Sequence, residues 1–161
     1  MIEDVREITG KGKICPGEIF SEIKKLAADE YWKKRQDAAT ALVEISKKKD
    51  DEVIREMIIR AGDNNFNIRR AASEGLRGVA RRNPEKNLPV IEKLKTDDAI
   101  YVRKSVAALL RAISRKNPEF VLNLCKKWAG LKNKNTDWII MEGMKKLPLD
   151  EREELKFLLN N

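Results

Sequence analysis

The sequence predicts an all-α protein, a right-handed α-solenoid of about four to five stacked helix pairs. Two observations carry that expectation. Apolar residues recur with a 34-residue period: Leu42, Leu76 and Leu110; Ile45, Val79 and Ile113; Ala38, Ala72 and Val106. Within one repeat these sites fall at i, i+4 and i+7, the apolar stripe of an amphipathic helix. Nothing competes with this pattern. No Val-, Ile- or Thr-rich run alternates between turn residues as a strand would, and the chain holds only 8 glycines to supply hairpin turns.

The stripes divide the chain into a single repeat domain, 16–161, preceded by an N-terminal arm or cap, 1–15, that carries Gly10 and Gly12. One set of helices, the A helices, is expected over 31–48, 67–82 and 100–116. A second stripe keeps the same period, with Phe20, Ile54, Leu88 and Leu122 in one line and Ile23, Met57, Ile91 and Cys125 in another. These are the B helices, over 16–27, 51–61, 84–95 and 118–129. Asn83-Pro84-Glu85 and Asn117-Pro118-Glu119 place a capping Asn, a first-position Pro and a first-turn acid at two of their starts. The register puts Cys125 and Trp128 in the core. After 129 it predicts a slip, with Trp138-Ile139-Ile140 fitting the A pattern only through a short insertion at 130–135. The chain then reads as a helix over 137–147, a break at Pro148, and a helix over 150–159 with Asp150 and Glu153 as a capping box.

One polar feature repeats as strictly as the core. Asp29 precedes Arg35 by six residues, Asp63 precedes Arg69, and Asp97 precedes Arg103, all at the 34-residue step. Each Asp falls in the turn before an A helix and each Arg on its first turn. Such a structural ladder, which would tie neighbouring repeats by charge-assisted hydrogen bonds, resembles the pattern of HEAT repeats. A 34-residue period also suits tetratricopeptide repeats, but their Trp, Leu-Gly and Tyr signature is missing.

Composition narrows the function classes. Lys and Arg number 34 against 26 Asp and Glu, giving a formal charge of +8 and a pI near 9.5, which favours polyanionic partners. Charged residues make up 37% of the chain, a density suited to an elongated array. The absence of histidine removes His-based zinc sites and Ser-His or Cys-His nucleophiles, so any acid–base chemistry would fall to carboxylates or Lys. No phosphate-binding glycine loop and no Cys-x-x-Cys occurs, and neither a cofactor nor a metal is expected. Two cysteines, no apolar run of bilayer length and no signal-peptide core at the N-terminus lead to the expectation of a soluble cytoplasmic protein with no membrane partner.

The basic charge is placed, not scattered. Arg70, Glu74, Arg77 and Arg81 form one line along the second A helix, and the 34-residue step turns it into Lys104, Ala108, Arg111 and Arg115 on the third. The first repeat offers Gln36, Thr40, Val43 and Lys47 there. Two adjacent repeats thus present a cationic strip able to follow the DNA backbone. Rings are scarce. Trp32, Phe66 and Ile100 are equivalent and expected to pack between repeats, which leaves Tyr101 and Trp138 as exposed candidates. Contact with phosphates rather than bases is the expectation.

The runs Ile68-Arg69-Arg70-Ala71-Ala72-Ser73-Glu74-Gly75-Leu76-Arg77, Tyr101-Val102-Arg103-Lys104-Ser105-Val106-Ala107, Ile113-Ser114-Arg115-Lys116-Asn117-Pro118 and Trp138-Ile139-Ile140 resemble the DNA alkylation repair family, HEAT-like repeat glycosylases that remove alkylated purines. The resemblance spans about 63–147 and implies a divergent, shortened member with a basic cradle for duplex DNA and neither metal nor cofactor. It implies a catalytic glutamate at Glu74. It also implies an aspartate where this chain has Ala112 and a tryptophan where it has Arg82, a cation that would oppose base departure if it pointed inward. Three readings stand at this stage: a DNA-binding repeat protein with weak or no base excision, a HEAT-type adaptor for a protein partner, and an active glycosylase using Glu74. A bland role for Glu74, neutralising Arg70 and Arg77, remains open beside catalysis.

Overall fold

A computed structural model describes residues 5–161; Met1 to Asp4, part of the expected arm or cap, lie outside it. The regular elements among the described residues are all helical. In order they are α1 (Val5–Gly12), α2 (Pro16–Ala28), α3 (Trp32–Ile45), α4 (Asp50–Arg60), α5 (Phe66–Glu74), α6 (Arg77–Ala80), α7 (Leu88–Leu94), α8 (Ile100–Ser114), α9 (Pro118–Ala129), α10 (Lys134–Gly143) and α11 (Leu149–Asn160), with 3₁₀ turns at Pro84–Asn87 and Met144–Lys146. They stack as an α-solenoid of HEAT-like pairs: α2 with α3, α4 with α5–α6, α7 with α8, and α9 with α10. No helix among the described residues is long and apolar enough to cross a membrane.

The core is the repeated stripe. Ala38, Ala72 and Val106, then Leu42, Leu76 and Leu110, then Ile45, Val79 and Ile113 are all fully buried, as are Ile23, Met57, Ile91 and Cys125. Burial pushes the Cys125 thiol up to about 12, so it packs as a small apolar group and not as a nucleophile. Trp128 is also fully buried, and its indole N–H donates to Glu92 at 3.0 Å. Ile8 of α1 joins the same core, and α1 lies against α2 and α3 at one end of the stack.

Several sequence expectations need correction. The register does not slip after α9. Helix α10 starts 34 residues after α8, and Ile140, Met144 and Leu147 are buried where Val106, Leu110 and Ile113 are. Without an insertion Trp138 takes the position of exposed Lys104. The second A helix is not continuous: it breaks between Glu74 and Arg77. Gly75 explains how close it lies to α3, since a Cβ there would sit 2.8 Å from Leu42 Cβ. Asn83 and Asn117 hold the cap positions but make no side-chain cap bond, whereas Asn65 and Asn133 do, Asn65 to Asn67 N–H and Asn133 to the N–H groups of Asn135 and Thr136. Pro148, not Asp150, precedes α11, so the expected capping box is absent.

The Asp–Arg sites sit at the junctions, in a more varied pattern than the spacing implies. Arg35, Arg69 and Arg103 each donate to the backbone carbonyl of the Asp six residues earlier, at 2.8, 2.9 and 3.2 Å. The Asp carboxylates instead accept from the next helix start: Tyr31 N–H to Asp29, Asn65 N–H to Asp63, Ala99 N–H to Asp97. Only one junction closes with a bidentate Arg–carboxylate pair, Arg69 to Asp97 at 2.6 and 3.0 Å. Asp63 takes Lys24 at 2.7 Å, and Asp29 takes Lys34 at 2.7 Å. At the fourth pair Leu131 and Asp137 occupy the ladder sites, and Arg103 donates to Asn135 at 2.8 Å instead.

Asp97→Ala strands Arg69 at a junction and removes the Ala99 turn, so a loss of about 1–3 kcal/mol is expected, larger than for Asp63→Ala; urea denaturation of both variants measures the difference. The hydrogen bond from Lys24, then that from Asn65 N–H, holds the Asp63 carboxyl below the ordinary carboxylate range. A depressed carboxyl contributes stability above its unfolded value of about 3.9 and loses it as pH falls through the folded one. The urea midpoint should therefore drop below about pH 4, and drop less in Asp63→Asn.

Candidate nucleic-acid interface

Because α3, α5–α6, α8 and α10 stack at a constant step, residues 34 apart form rows across their outer face. One row is Gln36, Arg70, Lys104 and Trp138; the next is Thr40, Glu74, Ala108 and Glu142; the third is Val43, Arg77, Arg111 and Lys145. Arg81 and Arg115 follow at the ends of α6 and α8, both exposed. Glu142 and Lys145 were missed in the sequence because of the supposed slip; the unbroken 34-residue step is the signal that finds them.

The cations of this strip differ in how free they are. Arg77, Arg81, Lys104 and Arg115 are exposed. Arg70 is half-buried, its Nε donating to Glu74 at 2.9 Å. Arg111 is also half-buried and donates to the Glu142 carbonyl at 2.8 Å, so it joins α8 to the end of α10. Glu142 itself pairs with Lys145 at 2.6 Å.

Glu74 is nearly buried at the C-terminal end of α5. One of its oxygens accepts from Arg70 at 2.9 Å and lies 3.8 Å from Arg77 Nη2. The carboxylate lines a shallow pocket of about 190 Å³ with Gln36, Ala39, Thr40, Val43 and Arg77. No second carboxylate lines it, and Ala112 supplies none from α8. Arg82 does not enter it either: its guanidinium donates to the Ser46 carbonyl at 2.7 Å, past the end of α3. Among the described residues no three His, Cys, Asp or Glu side chains gather as a metal-ligand set.

The aromatic expectation is partly overturned. Trp32 and Phe66, expected between repeats, are 59% and 39% exposed, and Tyr101 is 53% exposed. They stand where the A helices begin; Phe66 meets Tyr101 of the next repeat on one side, and all three keep a large part of their surface in solvent. Trp138, expected outside, is half-buried against the core with Arg103 over its ring at 5.7 Å.

Known structures share this architecture. The chain superposes on the Pseudomonas fluorescens alkylpurine DNA glycosylase AlkC bound to DNA containing an abasic-site analogue, with a TM-score of 0.75 and 26% identity over 88% of this chain and 40% of AlkC. It matches AlkD2 from Streptococcus mutans with a TM-score of 0.75 and 29% identity, over 89% of this chain and 71% of that one. The smu.31 protein of Streptococcus mutans UA159 gives the same TM-score and identity, over 89% and 74%. The chain thus spans less than half the length of AlkC. No family model and no curated protein sequence matches it.

The geometry separates two arginines of the strip that look alike in sequence. Arg111→Ala leaves the Glu142 carbonyl short of a donor and should cost about 1 kcal/mol. Exposed Arg77→Ala should stay within about 0.5 kcal/mol of the parent. Chemical denaturation of the two variants side by side checks this.

Proposed function

We propose that this chain, related in fold and in sequence to the alkylpurine DNA glycosylase AlkC and to AlkD2, binds the backbone of duplex DNA through its A-helix face and has little or no base-excision activity. The observation that carries the reading is the register of the cations: Arg70, Arg77 and Arg81 on α5–α6 repeat as Lys104, Arg111 and Arg115 on the adjacent α8, and Lys145 continues the row. Cations in rows along a rigid face neutralise successive phosphates and release counterions, without reading sequence. That the related AlkC is a DNA complex supports the same class of partner here.

The pocket chemistry argues against excision. Departure of an alkylated purine leaves positive charge on the sugar, which a catalyst must meet with unsatisfied negative charge and a positioned water. Glu74 already faces Arg70 and Arg77, and Ala112 offers no second carboxylate. With no histidine in the chain, no imidazole can act as base. In this reading Glu74 organises the two arginines. An apolar groove of about 380 Å³ between α7 and α9, lined by Leu88, Glu92, Phe120, Asn123, Leu124 and Lys127, supports the adaptor as a second reading.

Duplex binding measured across a salt series should show log affinity falling linearly with log salt. Arg77→Ala should reduce that slope by about one unit. Glu74→Gln, which removes a negative charge from the strip, should tighten binding. Affinity that ignores salt would sink the DNA reading and favour the adaptor. Incubation with methylated DNA should release no free 3-methyladenine or 7-methylguanine above the spontaneous rate. Release that disappears in Glu74→Gln would assign catalysis to that glutamate.

A further inference from the structure

Beside the cationic strip, at the N-terminal rim of the A helices, lies a row of rings that duplex binding does not use. Tyr31 and Trp32 stand at the start of α3, Phe66 at the start of α5 and Tyr101 on the first turn of α8. All four of these rings are exposed to solvent. Phe66 and Tyr101 stack on each other across the junction, with centroids 6.2 Å apart and planes 20° apart, so each keeps an outer face free. Tyr31 and Trp32 meet edge to face at 6.4 Å.

Beside the Phe66–Tyr101 pair opens a groove of about 400 Å³ lined by Glu30, Arg35, Phe66, Asn67, Arg70 and Tyr101. That volume falls within the range of small-ligand clefts, about 300–1,000 Å³. Cations border the rings. Lys33 lies 5.9 Å from the centroids of both Tyr31 and Trp32, and Lys104 lies 5.5 Å from that of Tyr101. Of the acids on this edge, Asp29, Asp63 and Asp97 are paired with Lys34, Lys24 and Arg69 and Asp98 accepts from Asn135, which leaves Glu30 as the acid that lines the groove.

We infer that this rim binds an unpaired nucleic-acid strand, its bases stacking on the Trp32, Phe66 and Tyr101 rings and its phosphates meeting Lys33, Arg70 and Lys104. Exposed rings alternating with cations along one edge form the surface on which single strands are held, since every base has a face to stack and every nucleotide a charge to neutralise. Duplex DNA keeps its bases stacked internally and has no use for the rings. The rim therefore extends the ligand range from duplex to DNA carrying a single-stranded segment; it shares Arg70 and Lys104 with the strip, and the rings set it apart.

The test is fluorescence anisotropy with a labelled 12-nucleotide oligo(dT) and a blunt 12-base-pair duplex. The parent should bind oligo(dT), and the Phe66→Ala, Tyr101→Ala double variant should lose about tenfold or more of that affinity. Its affinity for the blunt duplex should not change, and its urea midpoint should confirm that it is folded. Arg77→Ala should do the reverse, weakening duplex binding and sparing oligo(dT). Stacking should also quench tryptophan emission on titration with oligo(dT), and Trp32→Phe should remove most of the quench, because Trp128 is buried and Trp138 is half-buried with Arg103 over its ring. No binding of oligo(dT) by the parent, equal binding by the double variant, or a loss shared equally with the duplex would each overturn the rim. A failure of duplex binding alone would sink the strip and leave the rim standing.

Discussion

A helix pair of this chain has an apolar stripe for each neighbour, and closing the junctions between pairs is the constraint from which the rest of the molecule follows. Burial supplies the drive, but helix ends carry carbonyls with no partner inside the helix, and stacking would bury them unpaid. Side chains from the adjoining repeat meet that need again and again. Even in the body of α2 the Phe20 carbonyl accepts from Arg60, which is 2% exposed and lies over the Phe20 ring. Arg82 reaches Ser46, Lys93 reaches Ile58, Thr136 reaches Lys95 and Arg111 reaches Glu142, each at a backbone oxygen of a neighbouring pair. Arg69 goes furthest, holding its own turn through two carbonyls and the following turn through the Asp97 carboxylate.

Strict stacking has a consequence for the surface. If every junction repeats one geometry, residues 34 apart must align on the outside as they do on the inside. The cationic strip and the aromatic rim are therefore two lines on one lattice, the strip along the bodies of α5–α6 and α8 and the rim at their starts. The lattice changes where its polar fittings change. At α10 the ladder arginine is replaced by Asp137, whose carboxyl is pushed above its ordinary range by burial and has one oxygen without a partner. Asn133 and Asn135 take over the turn there, and α11 packs on α9.

The same lattice limits what the pocket at Glu74 can do. Glu74 shares its helix face with Arg70 and Arg77 because i+4 and i+3 neighbours on a helix must be close. A carboxylate in that setting is well placed to organise cations and poorly placed to meet a new one. Arginines that look equivalent in a helical projection divide by environment: Arg77 faces solvent, and Arg111 is spent on the carbonyl of Glu142.

The sequence by itself determined the fold class, the period, the core stripes and the rows of cations, because each is a matter of spacing along helices and spacing survives folding unchanged. Cys125 and Trp128 were legible as core for the same reason. What only the tertiary structure decided is everything that depends on a partner from another repeat. Asp-x5-Arg spacing could not say that the carboxylate of Asp63 would go to Lys24 while that of Asp97 went to Arg69, since Lys24 lies on a helix 39 residues away in the chain. It could not say that Trp32 and Phe66 would stay exposed, or that Trp138 would be half-buried, because burial at a helix start depends on how far the next repeat overhangs. Nor could it say that Arg82 would turn to Ser46 and leave the pocket at Glu74 without it. Local periodicity sets which face a residue occupies; the packing of one pair on the next sets what it finds there.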